Sequence, residues 1–363
     1  PAYAAILRDI AARGPEAFYA GANAKAISDA VAKAPRNQAQ LTLKDLAAYQ
    51  AKERPAVCTT YRIYKLCGMG PPSSGATTVF GILGMLEGYD MKAMGKDNPM
   101  SWHLLAEAMQ LAYADRAAYL GDADFVDVPV KGLLDKGYLA ERRQLISPYG
   151  AAGHYEPGTP PGAKPRAAAP PIPEHGTTHF VVADKDGNVV SMTSTVESIF
   201  GSQLIANGYF LNNELTDFDF VPVKDGQPTA NRVEAGKRPL SSMSPTIVYG
   251  PDGKVILAVG SAGGKRIIMH VTKTLIGVLD WGLSAQDAME LPNIFFGQQG
   301  VLIENDDLGK AIAAKMKPFG YSFTPTDLGS KLNAIERVGD GWRGAADPRG
   351  PGTSSVDGAP AQN

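Results

Sequence analysis

One threonine stands where a strand pattern begins abruptly. Thr177 follows Glu174-His175-Gly176 at the end of a proline-rich stretch and opens the run Thr177-Thr178-His179. A threonine hydroxyl is a weak nucleophile unless a base sits beside it. A threonine at an amino terminus carries its own base, the α-amino group. With a pKa near ~8, that amine is partly neutral at working pH, unlike a lysine. Thr177 acquires such an amine only if the Gly176–Thr177 bond is cut. Gly176 leaves that bond unhindered, and a flexible segment before it gives the freed end room to move away. The chemistry expected is amide hydrolysis by a nucleophile that self-cleavage exposes.

The next strand supplies a neighbour. Thr177–Asp184 and Val189–Val196 flank Lys185-Asp186-Gly187-Asn188, a strong hairpin signal. An Asp186-Gly187 turn puts Asp184 near Val189 and Thr178 opposite Thr195, and one bulge residue shifts this by one. Thr195 then lies beside the start of the first strand. Strand patterns alone favour a plainer reading, a threonine-rich pair chosen for β propensity. Other signals carry less. His175 and His179 are four apart, but the Gly-Thr-Thr between them is not helical and holds no glutamate base, so no metal site is expected. Gly260-Ser261-Ala262-Gly263-Gly264 lacks the ending of a phosphate loop. Ser73-Ser74-Gly75 reads as a helix cap more readily than as an anion site. His103 and His270 fall on helix patterns and read as packing residues.

The elements that must position these residues divide the chain. The first half is mostly helical, with helices expected at Ala4–Ala12, Ala22–Lys33, after the Thr42/Asp45 capping pair, from Gly75 to Leu86, and from Ser101 to Tyr119. Residues 157–173 contain seven prolines and read as a flexible linker without a core. The second half is strand-rich, with a further hairpin around Pro251-Asp252-Gly253, a helix over Arg266–Leu279, and a strand and helix at Val301–Glu304 and Leu308–Phe319. The tail after Pro348 reads as poorly ordered.

Composition sets limits. The 363 residues include 35 Lys and Arg against 37 Asp and Glu, a net charge of −2. That balance, without a basic cluster, argues against nucleic acid as a partner. No stretch approaches the ~20 apolar residues of a membrane helix. The chain opens inside a helix pattern with no leader, which leaves room for upstream sequence. Cys58 and Cys67 flank Thr59-Thr60-Tyr61-Arg62-Ile63-Tyr64-Lys65-Leu66. If Arg62-Ile63 turns, the cysteines fall opposite each other as a non-hydrogen-bonded pair. A cross-strand disulfide and two buried thiols are equally consistent with this, because Arg-Ile is a poor hairpin turn.

Several segments in order resemble γ-glutamyltransferases. They are Pro71-Pro72-Ser73-Ser74-Gly75, Tyr113-Ala114-Asp115-Arg116, Tyr119-Leu120-Gly121-Asp122, Thr177 to Val182, Asn212 to Phe218, Lys237 to Thr246, and Gly260 to Gly264. The resemblance runs from residue 1 to about Arg349. It implies an α/β fold of the N-terminal-nucleophile hydrolase type, a four-layer αββα sandwich. It implies a precursor cut into two subunits: residues 1–176 in the large one, with a linker over about 151–176, and residues 177–363 as the small one, intertwined in one domain. By the same resemblance Thr177 is the nucleophile and Thr195 supports it. Glu197, Glu214 and Asp217 hold the substrate's α-amino group, Ser241 and Ser242 its α-carboxylate, and Gly263 and Gly264 form the oxyanion hole. The implied donors are γ-glutamyl amides such as glutathione and glutamine. The acceptor is water, an amino acid or a dipeptide, no cofactor or metal is needed, and the compartment is the periplasm or cell exterior.

Three departures from the family pattern matter. The family's large subunit has a segment upstream of where this chain begins, with an arginine for the substrate carboxylate, and no residue here matches it. Glu197 stands where many members have Asn and, with Ser-Ile-Phe-Gly after it, resembles the acylase-like branch, which includes cephalosporin (glutaryl) acylases. The segment from Asp217 to Lys237 is shorter than in members with a lid, which favours hydrolysis over transfer. The alternatives are therefore an acylase of the same family, or an unprocessed, catalytically silent relative with a binding role.

Overall fold

The computed structural model describes residues 2–169, 176–297 and 300–355, and these fall into two compact units. The chain opens with four helices, α1 (Ala2–Arg13), α2 (Glu16–Tyr19), α3 (Gly21–Ala32) and α4 (Leu43–Ala48). The hairpin β1 (Val57–Tyr61) and β2 (Tyr64–Gly68) follows, then α5 (Gly75–Leu86), α6 (Met91–Met94), α7 (Pro99–Tyr119), α8 (Val130–Leu133) and α9 (Lys136–Arg143). Beyond Thr177 come β3 (Thr178–Ala183), β4 (Val189–Ser194), β5 (Ile205–Ala206), β6 (Tyr209–Phe210), β7 (Val223–Lys224), β8 (Gln227–Pro228), β9 (Thr246–Tyr249) and β10 (Val255–Gly260). The last elements are α10 (Arg266–Leu279), α11 (Ala285–Glu290), β11 (Ile294–Gly297), β12 (Gly300–Glu304), α12 (Asp307–Met316), β13 (Phe323–Thr326), β14 (Asn333–Val338) and β15 (Gly341–Ala346).

The smaller unit comprises residues 1–54 and 195–216. Ala24, Ile27, Leu46 and Ala206 form its core, with Phe18, Tyr209 and Leu211 against it. Thr42 and Asp45 make a capping box at α4, as their spacing predicts. Buried Asn23 is satisfied: it donates to Phe18 O and accepts from Asn207 and the Tyr209 hydroxyl.

The larger unit is built on a six-stranded antiparallel sheet, β1-β2-β9-β10-β14-β15. Two of its strands precede Thr177 and four follow it. Helix α5, apolar along nearly all its length and almost wholly buried, packs with α7 and α10 in one core with the sheet's Leu66, Val248, Leu257 and Val259. The two-stranded sheet β3–β4 lies against β10 and β14 on its inner side. Its other residues, Phe180, Val182, Val190 and Met192, are exposed.

Several expectations change. The β3–β4 ladder runs from Ala183↔Val189 to Thr178↔Ser194, one residue off the expected register. The cause is the loop: the Asp184 carboxylate accepts the N–H groups of Asp186 and Asn188, so five residues turn instead of two. Thr178 therefore faces Ser194, and Thr195 is the next residue along the chain. Asn98, not Ser101, caps α7, and Ser101 Oγ donates to Gly95 O at 2.7 Å. Residues 157–169 are held, not loose. Gly158 N–H donates to Asp115, Gly158 O accepts from the Tyr119 hydroxyl, and Ala169 N–H donates to Ala117 O. Residues 170–175, with His175, lie outside the described residues. Just past Pro348, Arg349 is tied to Glu304 and Asp347, while 356–363 lie outside the described residues.

The β1–β2 register is the expected one, and Cys58 and Cys67 form a disulfide. The Arg62-Ile63 turn needs φ +54° at Arg62, an uncommon conformation for a side-chain-bearing residue. Tertiary bonds offset that cost: Arg62 donates to Glu87 O, Tyr89 O and the Asp280 carboxylate. No helix among the described residues is long and apolar enough to cross a membrane.

Candidate active site

Thr177 sits one residue before β3 and is half-buried. Its hydroxyl donates to the carbonyl oxygen of Gly176, whose φ is +62°. The nucleophile candidate thus rests on the carbonyl of the bond that self-cleavage would break. Two residues on, His179 is buried against the end of β10. An added Cβ at Gly260 would meet the His179 ring at 2.2 Å, so only glycine permits this contact. His179 Nδ1 lies 2.8 Å from Thr193 Oγ1, and Asn333 Nδ2 donates to His179 O at 3.0 Å. Burial pushes the imidazole down to about 4, so it is neutral at physiological pH.

Gly260 ends β10 and starts the glycine loop. Gly263 and Gly264 have φ +134° and +61°, conformations that a Cβ resists. At Gly263 a Cβ would also come 3.1 Å from the His270 ring. His270, one turn into α10, is wholly buried, held well below the usual histidine range by desolvation, and its Nδ1 lies 3.0 Å from Ser261 Oγ. The loop leads directly into the start of a 14-residue helix, where the helix dipole favours negative charge. The Tyr113 hydroxyl, from α7, donates to Lys265 O at the end of the loop.

Ser241 and Ser242 lie on a second loop, pinned to the segment before α5. Ser74 N–H and Ser74 Oγ both donate to Ser241 O at 2.7 Å, and Ser241 N–H donates to Pro72 O. Gly75 must be glycine, since an added Cβ would lie 2.4 Å from Met243 O. Behind the serine loop and the segment before α5 stands Arg116 of α7, buried at 6% exposure. Its Nε donates to Ser74 Oγ at 2.8 Å and its Nη2 to Ser242 Oγ at 2.7 Å. Tyr113 and Arg116 are three apart and share one helix face. That face holds the glycine loop at one point and the serine loop at the other. Sequence reasoning assigned neither residue a role, although both lie in the Tyr113-Ala114-Asp115-Arg116 segment. The available signal was an arginine inside an otherwise buried helix.

The carboxylate candidates divide between the units. Asp217 belongs to the larger one, where its carbonyl accepts from Asn231. Thr195, Glu197 and Glu214 belong to the smaller one. There Thr195 Oγ1 accepts from Glu197 N–H at 2.7 Å. Glu197 is buried with φ +70°, and its carboxylate accepts from Ser198 Oγ and Asn213 Nδ2. Glu214 starts a 3-10 turn, its N–H on Asn212 Oδ1. Among the described residues no group of three His, Cys, Asp or Glu could hold a metal ion.

A family model described as gamma-glutamyltranspeptidase matches residues 1–356. The chain belongs to that family. It is 36% identical over 351 residues to the glutathione hydrolase proenzyme of Bacillus subtilis (strain 168), covering 93% of this chain and 58% of that protein. It is 40% identical over 296 residues to the glutathione hydrolase proenzyme of Escherichia coli (strain K12), covering 79% and 49%. It is 35% identical over 355 residues to the acylase ACY 1 proenzyme of Pseudomonas sp. (strain SE83), covering 97% and 60%. The crystal structure of cephalosporin acylase from Bacillus halodurans superposes with a TM-score of 0.83 at 25% identity, over 96% of this chain and 61% of that one. The chain thus spans about half to three fifths of the length of these relatives. The fold of this gamma-glutamyltranspeptidase-family chain is the mixed α/β one expected from the resemblance.

Proposed function

We propose that the protein cleaves γ-glutamyl amides, glutathione first, through an ester on Thr177, after cutting itself between Gly176 and Thr177. The observation that supports this most is the Thr177 hydroxyl resting on Gly176 O. In the cut, Thr177 Oγ1 attacks the Gly176 carbonyl carbon, the amide becomes an ester, and the Thr177 amine is released. Water then hydrolyses the ester. Residues 1–176 become part of a large subunit and 177–363 the small one. The six-stranded sheet, with strands from both, supports their staying intertwined.

In turnover the Thr177 amine takes the hydroxyl proton as Oγ1 attacks the γ-carbonyl. The oxyanion meets the N–H groups of Gly263 and Gly264. The leaving amine takes the proton, and a γ-glutamyl ester remains until water, an amino acid or a dipeptide releases it. By family resemblance Thr195 supports the nucleophile, Ser241 and Ser242 take the α-carboxylate, and Glu197, Glu214 and Asp217 take the α-ammonium. A periplasmic or extracellular site accords with the Cys58–Cys67 disulfide.

Glu197 and the likeness to acylases support a second reading, removal of glutaryl or similar side chains from a β-lactam nucleus. Initial rates on glutathione and on a glutaryl amide without an α-amine separate the two. Faster glutathione cleavage is expected, and a strong preference for the glutaryl amide would overturn it. The short segment from Asp217 to Lys237 supports hydrolysis over transfer, so transfer to glycylglycine should be the minor reaction.

A further inference from the structure

We infer that Arg116 sets the donor site's demand for an α-carboxylate by positioning and polarising Ser242. The inference rests on the reading of Ser241 and Ser242 as the carboxylate-binding pair. A guanidinium has five N–H donors and no acceptor. Its Nη2 at 2.7 Å from Ser242 Oγ therefore makes that oxygen accept, and turns the hydroxyl's own proton away from Arg116. A hydroxyl polarised by a cation behind it donates best to an anion. Nε, on the same plane, holds Ser74 Oγ at 2.8 Å, and Ser74 directs its proton to Ser241 O. Ser74 is thus a spacer fixing the guanidinium against the Ser241-Ser242 backbone, while Ser242, on the carboxylate-binding reading, is the hydroxyl that meets substrate. The backbone of Ser242 is fixed too, its carbonyl accepting from Ser244 Oγ at 2.8 Å.

The two bonds leave Arg116 in the plane of a fork, which a lysine ammonium cannot reproduce. A buried cation here adds nothing for a donor that lacks an α-carboxylate. Arg116 is a positioning residue: it acts through Ser242 and need not touch substrate.

The test compares γ-glutamyl-p-nitroanilide with 4-aminobutyryl-p-nitroanilide, which differs only by that carboxylate. In Arg116→Lys and Arg116→Gln, kcat/KM for the glutamyl donor should fall about tenfold or more through KM, as expected for one lost charge-assisted contact. The aminobutyryl value should change less than about twofold. Ser74→Ala, which leaves the charge in place and loosens its fork, should give the same pattern at smaller size, and it serves if the Arg116 variants fail to fold. Equal losses on both donors, or no loss on either, would overturn the inference. A wild-type protein that cleaves neither anilide would instead refute the γ-glutamyl reading, and the inference with it.

Discussion

The glycine loop and the serine loop face the same helix but differ in what holds them most closely. Gly260–Lys265 is braced mainly by neutral groups, the His179 ring on Gly260, the His270 ring on Gly263 and the Tyr113 hydroxyl on Lys265 O, with one long bond of 3.5 Å from Arg266 Nε to Gly263 O. Ser241–Ser242 is braced by a guanidinium. The difference follows the charge each loop is proposed to meet. An oxyanion develops only as the carbonyl is attacked, whereas a permanent cation there would also hold ground-state anions. Oriented neutral N–H groups suffice. A carboxylate is charged from the moment it binds, and a fixed cation behind its ligand strengthens binding itself.

The comparison breaks most sharply at Gly263. Gly263→Ala places a Cβ near His270 at an unfavourable φ and should cut kcat by about 10²–10³ with KM little changed, the scale of one lost oxyanion donor. Steady-state kinetics on processed protein read this, and a loss confined to KM would merge the two loops' roles. Tyr113→Phe removes the bond to Lys265 O one turn from Arg116. It should lower kcat by about tenfold or less, the scale of one hydrogen bond, for donors with and without an α-carboxylate alike. Selective loss for the carboxylated donor would contradict the division.

How much of this was legible beforehand varied with the range of the interactions. Helix α10 matches its expected span, Arg266–Leu279, because its apolar spacing and bounding glycines are local. The glycine and serine motifs stood out as residue types. Their braces did not, since Tyr113 and Arg116 find partners 152 and 126 residues away. Strands β14 and β15 also escaped notice: Gly344-Ala345-Ala346 has poor β propensity and is a strand only because it pairs with Asn333–Ile335. The proline-rich residues 157–169 read as a linker because their anchors lie on α7.

Acidification sharpens the contrast further. His179 is neutral when folded, with its pKa lowered to about 4 from an ordinary value near 6.5. Between those values the unfolded chain binds the extra proton, so stability rises with pH there. The contribution is complete above ~6.5 and disappears as pH falls toward ~4, with an upper bound of roughly 3 kcal/mol. Thermal melts of wild type against His179→Asn should show a shallower acid slope in the variant, and parallel slopes would contradict the assignment. The smallest effect on turnover is expected at the far hairpin. Replacing Cys58 and Cys67 with alanine should cost about 2 kcal/mol of stability by freeing the unfolded chain. It should leave kcat and KM unchanged in the same assays.

Every expectation about turnover depends on Thr177 acquiring a free amine. Amino-terminal sequencing of the purified protein tests that most directly. A fragment beginning Thr177-Thr178-His179 is expected, and Thr177→Ala should leave one uncut, inactive chain. An intact wild-type chain that still hydrolyses glutathione, or a cut at another bond, would contradict the account.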